Sequence, residues 1–481
     1  MSIIDFTGPK TGNIFADLIL WLVSITSSVA AGVILFTVFL KLITLPFDFM
    51  SRFSMRKNSL KMEEMRPELE KLQKQYAGDK NLYNQKMMAL YKKNGYSMFG
   101  SCLPTIITLV IFIIAINGFN AYSHYQNKQY FYEMSIAYNN VIYAGLEVDG
   151  EYIYTDKDGK IQVNDALLLG KTEVTPEGKD YKIIVEYNSA ESKQTVYTTN
   201  GYVKYTRTVV GETGTGTPEF TVIESNLSND KIKSVYNNNL VNSEGKTFDA
   251  AKAEGVTAEE FIQDICEIKS AERFRNNGSG FLWVKNIWVT DSPMKHPIEE
   301  KWGTFKSTYG YNDASYTDIG QEGYDKLIAD LEFEKNAPNG FFILVILTAA
   351  SSLLTQLVVG KSQKAQMELQ TVDGQGAQTQ KIMMWMMPIM MAIFAFMYTA
   401  AFSIYIVLSS VISLLTTLLI NYIADKKYKK KPADGDVVHG RVYVPPKKEE
   451  EKPKKKEKGE PEVDFLSGLA DKKKHPRGRI K

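Results

Sequence analysis

Apolar residues gather into five runs along this chain, at about 25–47, 99–120, 340–360, 382–399 and 401–423. Each approaches the ~20 residues that an α-helix needs to cross a bilayer. Between the first two runs the pattern changes. Met55, Met62, Met65, Leu69, Leu72 and Tyr76 recur at helical spacing, with Lys, Arg and Glu between them. Gly78-Asp79 breaks that stripe, and Leu82, Met88 and Tyr91 begin a second, so residues 51–98 predict a helical hairpin. Pro67 falls inside its first arm and should kink it, because the ring nitrogen has no hydrogen to donate. Ahead of the first run, Asn13-Ile-Phe-Ala-Asp-Leu-Ile-Leu-Trp21-Leu-Val predicts an interfacial amphipathic helix within 1–24, with Trp21 as its anchor.

The long stretch between the second and third runs is of another kind. Residues 146–225 alternate as strands do, for example in Lys182-Ile-Ile-Val-Glu-Tyr and Thr195-Val-Tyr-Thr. Asp158-Gly159 and Asn200-Gly201 supply hairpin turns. Residues 257–276 then predict a helix, opened by the capping box Thr257-x-x-Glu260 and stopped near Gly278. The fold class that follows is an α-helical polytopic membrane protein with an extracytoplasmic mixed β/α insertion domain. Its parts run as spans at 25–50, 99–120, 341–360 and 382–424 (a fourth and fifth together), the hairpin at 51–98, the insertion at 121–340, a loop at 361–381 and a disordered tail at 425–481.

The formal net charge of +2 hides a strong asymmetry. The hairpin holds 11 Lys and Arg against 5 Asp and Glu, the tail 19 against 11, and the insertion 22 against 34. Basic segments stay cytoplasmic, so the N-terminus and the insertion face outward and the C-terminus inward. The N-terminus lacks the basic region and small-residue cleavage site of a signal peptide. The two cysteines, Cys102 beside a span and Cys266 in the insertion, make neither a disulfide framework nor a metal site. No His/Cys/carboxylate cluster, no nucleophile with a paired base and no phosphate loop stands in the insertion. An enzyme is therefore not expected, and no cofactor or metal is called for. His124 and His296 read as isolated surface residues.

Lys41 is the exception to the apolar pattern, for it lies inside the first run. A charge at the centre of a spanning helix costs roughly 2.5–3.5 kcal/mol on insertion scales, which makes it a functional candidate. The alternative is that it snorkels to the nearby cytoplasmic headgroups. The tail, rich in Lys and poor in apolar residues, suits anionic lipid at about 1 kcal/mol per juxtamembrane lysine.

Taken in order, Phe39-Leu-Lys41-Leu-Ile-Thr-Leu-Pro46-Phe, Lys61-Met-Glu-Glu-Met-Arg-Pro67-Glu-Leu, Met88-Ala-Leu-Tyr91-Lys-Lys-Asn-Gly and Gly100-Ser-Cys102-Leu-Pro104 resemble the YidC/Oxa/Alb membrane-protein insertase family. Phe281-Leu-Trp283-Val-Lys-Asn-Ile-Trp-Val-Thr-Asp291-Ser-Pro293 resembles the outside segment before that family's third core span. The resemblance covers roughly 13–120, 281–294 and 340–424. It implies a five-span core around a hydrophilic groove, open to the cytoplasm and to lipid. A cation in the groove draws in the tail of a short-tailed hydrophobic segment, which then slides into the bilayer.

The groove cation corresponds to Lys41, where arginine is usual. Thr37, Thr108, Ser409 and Ser410 would line the groove. Met383, Met387, Met390, Met391, Phe394 and Met397 would form an adaptable substrate slide, or simply fill the space between spans. The implied partners are nascent membrane proteins, anionic lipids, the Sec translocon and, through the basic tail, the ribosome, in a bacterial plasma membrane. Residues 121–280 carry no signature of their own partner. A channel or transporter, or an envelope-binding receptor with a large ectodomain, is the competing reading; a single intramembrane cation without internal repeats counts against the former.

Overall fold

In the computed structural model, the described residues are 1–26, 28–95, 99–146, 150–151, 153–155, 161–163, 172–211, 213–228, 232, 240–362 and 375–428. The first turn of regular structure is α1 (Ile14–Ile25), capped by the Asn13 side chain on the N–H groups of Phe15 and Ala16. It buries Ala16, Ile19 and Leu22 and leaves Trp21 58 % exposed, an amphipathic placement consistent with an interfacial helix. Two close approaches seat it. A Cβ on Gly32 would lie 2.5 Å from Val23, and one on Gly118 would lie 2.8 Å from Phe15.

The helical core follows. α2 (Val29–Glu64) starts at Ser28 and runs straight through Pro46. Such a proline is tolerated where neighbouring helices and hydroxyls take over the freed backbone groups. α3 (Arg66–Gln75) and α4 (Lys80–Lys93) complete a hairpin whose own small core joins Met62, Met65, Leu69, Tyr83, Met87, Leu90 and Tyr91. Two expectations need correcting here. Pro67 does not kink a helix: the chain breaks at Met65, and Pro67 lies in the first turn of α3, where its missing donor has no partner to lose. In the second arm Tyr91 is buried as expected, but Tyr83, Met87 and Leu90 complete the buried face while Met88 is 48 % exposed.

α5 (Phe99–Ala144) is longer than a span. At 1.5 Å per residue its 46 residues reach about 69 Å, more than twice a bilayer's hydrocarbon thickness. Its second half buries Tyr122, Tyr130, Phe131, Met134 and Tyr138 and is the spine of the domain inserted between α5 and α11. Around that spine lie a small hairpin, β1 (Ile153–Thr155) with β2 (Ile161–Val163), and an antiparallel meander in sequence order. The meander is β3 (Thr172–Val174), β4 (Ile183–Asn188), β5 (Lys193–Thr198), β6 (Val203–Val210) and β7 (Thr213–Val222), with an irregularity between Thr206 and Thr208. The turn at Asn200-Gly201 joins β5 to β6, pairing Tyr197 with Lys204; Asp158-Gly159 lies outside the described residues.

The helices of this domain are α6 (Phe248–Ala253), α7 (Ala258–Arg275), α8 (Trp302–Tyr309), α9 (Gly320–Ile328) and α10 (Glu332–Asn336). Both halves of the Thr257/Glu260 capping box on α7 are formed. Phe6, Phe131, Trp302, Phe305, Tyr311 and Tyr324 make one aromatic cluster between α5, α8 and α9, so the N-terminal segment is part of this core. Cys266 is a buried free thiol whose pKa burial pushes up. His124 is half-buried, edge-on to Tyr309, rather than a plain surface residue; His296 is exposed and its Nδ1 lies 3.0 Å from the Ala337 carbonyl.

The chain then returns through α11 (Ile343–Ser362), α12 (Gln375–Met397) and α13 (Ala400–Tyr428). Among the described residues α2, α11 and α13 are long and apolar enough to cross a membrane, and 14–25 and 385–397 are shorter apolar helices. α13 lies against α2 and α11, and α11 against α12.

Candidate functional site

α2 and α13 do not meet along their whole length. Between them, with Ile111 and Phe112 of α5 on one side, is a polar cavity of about 190 Å³. Two periodicities make its walls. On α2, Lys41, Thr44, Asp48 and Arg52 face inward at three- and four-residue steps; on α13, Tyr405, Ser409 and Ser413 do the same. The Lys41 ammonium lies 3.5 Å from the Asp48 carboxylate and donates to Ser413 Oγ at 3.1 Å. Lys41 and Asp48 side chains are each only 14 % exposed. One helical turn further on, Arg52 donates to Thr417 Oγ1 at 2.6 Å.

Below the cavity the helices are tied together. Arg56 donates to both oxygens of Asp425, at 2.7 and 2.9 Å, and to the Ser362 carbonyl at 2.8 Å. Ser362 in turn donates to Asn421 at 3.1 Å, so α2, α11 and α13 share one polar knot.

Above it lies the segment 281–293. Asp291 is fully buried and accepts from the N–H groups of Phe341 and Leu344, capping the start of α11. The carbonyls of Val289 and Ile287 accept from Ala400 and Ala401, the first residues of α13. Trp288 is buried, with its Nε1 donating to Tyr130 on the spine of α5 at 3.1 Å. The Asn339 side chain accepts from the N–H of Asn286 and donates to its carbonyl, tying the loop to the residues just before α11. Four unpaired N–H groups at a helix start need partners, and this segment supplies them for two helices at once.

The residues singled out in the sequence are distributed as follows. Lys41 and Ser409 line the cavity. Ser410 is one position round the helix, and its carbonyl accepts from Thr355 of α11 at 3.3 Å. Thr37 is fully buried with its hydroxyl on the Val33 carbonyl of its own helix, away from the cavity. The side chains of Thr108 and Met383 lie outside the described residues. Met387, Met390 and Met397 point outward from α12, while Met391 and Phe394 turn inward, Phe394 reaching Phe112 at the cavity wall. Asp48, Arg52, Ser413 and Tyr405 went unmarked in the sequence. The first two could have been found by extending the face of Lys41 by seven and eleven residues, past Phe47, where the apolar run ends.

Among the described residues no three His, Cys, Asp or Glu side chains gather as a metal site. The cavity offers cations, one carboxylate and hydroxyls: a place to hold a charged or polar group by electrostatics.

Comparison with known proteins places this arrangement. The family model described as 60Kd inner membrane protein matches residues 21–153 and 268–428. The sheet β3–β7 falls between the two matched segments. Among curated relatives, membrane protein insertase YidC 1 of Streptococcus pyogenes serotype M6 is 39 % identical over 105 residues, which is 21 % of this chain and 36 % of that protein. YidC of Clostridium tetani is 29 % identical over 125 residues, 26 % of this chain and 55 % of that protein. YidC of Caldanaerobacter subterraneus subsp. tengcongensis is 28 % identical over 152 residues, 30 % of this chain and 72 % of that protein. The matches thus span about a third to a half of the first two relatives' length. No solved structure matches the chain.

Proposed function

The chain belongs to the 60Kd inner membrane protein family, and from that membership we propose that it is a membrane-protein insertase acting through the cavity between α2 and α13. The observation that carries this reading is Lys41, a cation inside an apolar run whose side chain is held 14 % exposed in a polar cavity between α2 and α13. A charge kept there against its desolvation cost needs a use, and attraction of an acidic or polar tail supplies one.

In this reading α2, α5, α11, α12 and α13 are five spans, with the N-terminus outside and the hairpin α3–α4 inside. The tail of a nascent membrane protein enters the cavity from the cytoplasmic side and is held by Lys41 and the hydroxyls of Ser409 and Ser413. Segment 281–293 keeps the outer end shut. The hydrophobic part of the substrate leaves along the outward-facing Met387, Met390 and Met397 of α12, whose unbranched side chains adapt to varied partners. Anionic lipid, the ribosome and the Sec translocon are the proposed partners of the basic hairpin and tail.

The test is insertion of a small single-span protein with an acidic outer tail into liposomes holding the full-length protein. Wild type and Lys41→Arg should insert it, and Lys41→Ala should lose roughly ten-fold, the factor expected from about 1.4 kcal/mol of ion pairing. Equal insertion by all three would leave Lys41 a snorkelling anchor. No insertion by folded wild type would remove the insertase reading.

A further inference from the structure

The cation of the cavity has a companion and a competitor on its own helix. Asp48 and Arg52 follow Lys41 by seven and eleven residues, which at 3.6 residues per turn puts all three within roughly 20° of one line down α2. Lys41 is paired with Asp48 at 3.5 Å, a long contact, while Arg52 rests on a neutral hydroxyl, Thr417, at 2.6 Å. A guanidinium bound to a hydroxyl can gain from a carboxylate, which adds an opposite charge and can accept both arms of its fork. Asp48 also stands four residues before Arg52, the acid-before-base order that favours a pair on a helix. Asp48 therefore has a second cation within reach.

Resting on the insertase reading above, we propose that Asp48 is a displaceable counter-ion of Lys41 that an acidic tail releases to Arg52. A carboxylate of the entering segment takes Lys41, and Asp48 passes to Arg52, which gives up Thr417. Before the exchange one anion serves two cations; after it, two anions serve two cations. The empty cavity keeps Lys41 neutralised, which lowers the cost of holding it among apolar helices. An uncharged tail gains little from Lys41 with or without Asp48, whereas an acidic tail gains an ion pair and must displace Asp48 to form it. The cavity thus discriminates Asp or Glu from Asn or Gln, and Arg52 is the positioning residue that makes release possible.

The experiment uses full-length protein in liposomes and a single-span reporter whose outer tail carries one Asp or, in its twin, one Asn. The quantity read is the ratio of the two insertion rates, from which the amount of folded protein cancels. Wild type should prefer the Asp tail. Arg52→Gln, which leaves Asp48 nowhere to go, should lower that ratio roughly five-fold, and Asp48→Asn should raise it by a similar factor, as for one partly buried ion pair. Asp48→Glu should keep the wild-type ratio. In Asp48→Asn/Arg52→Gln the ratio should return to at least the wild-type value, because no resident acid remains to hold Lys41.

A ratio unmoved or lowered by Asp48→Asn overturns the exchange, as does an Arg52→Gln defect that persists undiminished in the double variant. Insertion of both tails by wild type without preference overturns the exchange alone. Insertion of neither removes the insertase reading and the exchange with it.

Discussion

Asp291 sets a residue-scale limit on how the outer end of the helices can be rebuilt. Its Oδ1 accepts from Phe341 N–H at 2.8 Å and its Oδ2 from Leu344 N–H at 2.6 Å, with no exposed surface. A carboxylate at a helix start satisfies orphan donors and meets the positive end of the helix dipole. Asp291→Ala should lower unfolding stability by about 2 kcal/mol, since two buried N–H groups lose their acceptor. Asp291→Asn should cost less, keeping one acceptor oxygen. Gly340→Ala should be at least as damaging as the alanine at 291, because its Cβ would lie 1.8 Å from Asp291 Oδ1. Thermal unfolding of the three variants in one detergent gives the order; Gly340→Ala ranking as the mildest would contradict the packing described. Residues of this kind are hard to see in a sequence, as an aspartate beside a tryptophan-rich loop carries no sign of the helix fifty positions later. Lys41 was legible for the opposite reason, being a charge inside an apolar run.

Elements were legible where the period was clean and illegible where burial came from afar. The capping box of α7 and the β5–β6 turn are local signals, and both are formed. The length of α5 is not local. After residue 120 its composition turns aromatic and polar, and its helix is held by α7, α8 and segment 281–293, all more than a hundred residues away. In the hairpin's second arm Tyr83 and Met87 are buried in place of Leu82 and Met88, because only the packing partner chooses between adjacent apolar residues, while Tyr91 is buried as its pattern predicts. At the base of the core, α2 and α13 are joined by Arg56 and Asp425 in a two-bond pair, with side chains 15 % and 35 % exposed. A double-mutant cycle of Arg56→Ala and Asp425→Ala should give a coupling of about 1 kcal/mol, near the upper end for surface pairs because the geometry is bidentate. Additive losses would show that the helices are held by their apolar contacts alone.

At the scale of the whole molecule, three of the apolar runs contribute helices long enough to cross a membrane among the described residues, while the two ends of the chain are used in unlike ways. The N-terminal segment is built into the core of the inserted domain: Asn139 bonds both the N–H and the carbonyl of Ile4, and Phe6 stacks among the aromatic residues of α5 and α8. The C-terminal end of α13 still belongs to the core as far as Asp425, which holds Arg56. Beyond Tyr428 the sequence is a run of lysines and acids with few apolar residues. A truncation that tests the tail must therefore fall after Tyr428, since one at Asp425 would also remove the knot under the cavity. Cut there, the protein should still insert an acidic-tailed reporter into liposomes, because every residue lining the cavity remains. Its co-sedimentation with ribosomes at low salt should fall, and what binding the full chain shows should weaken steeply as salt rises, as phosphate contacts by lysine do. Co-sedimentation unchanged by the cut would move ribosome contact to the basic hairpin α3–α4, and loss of insertion with binding intact would make the tail part of the substrate path instead.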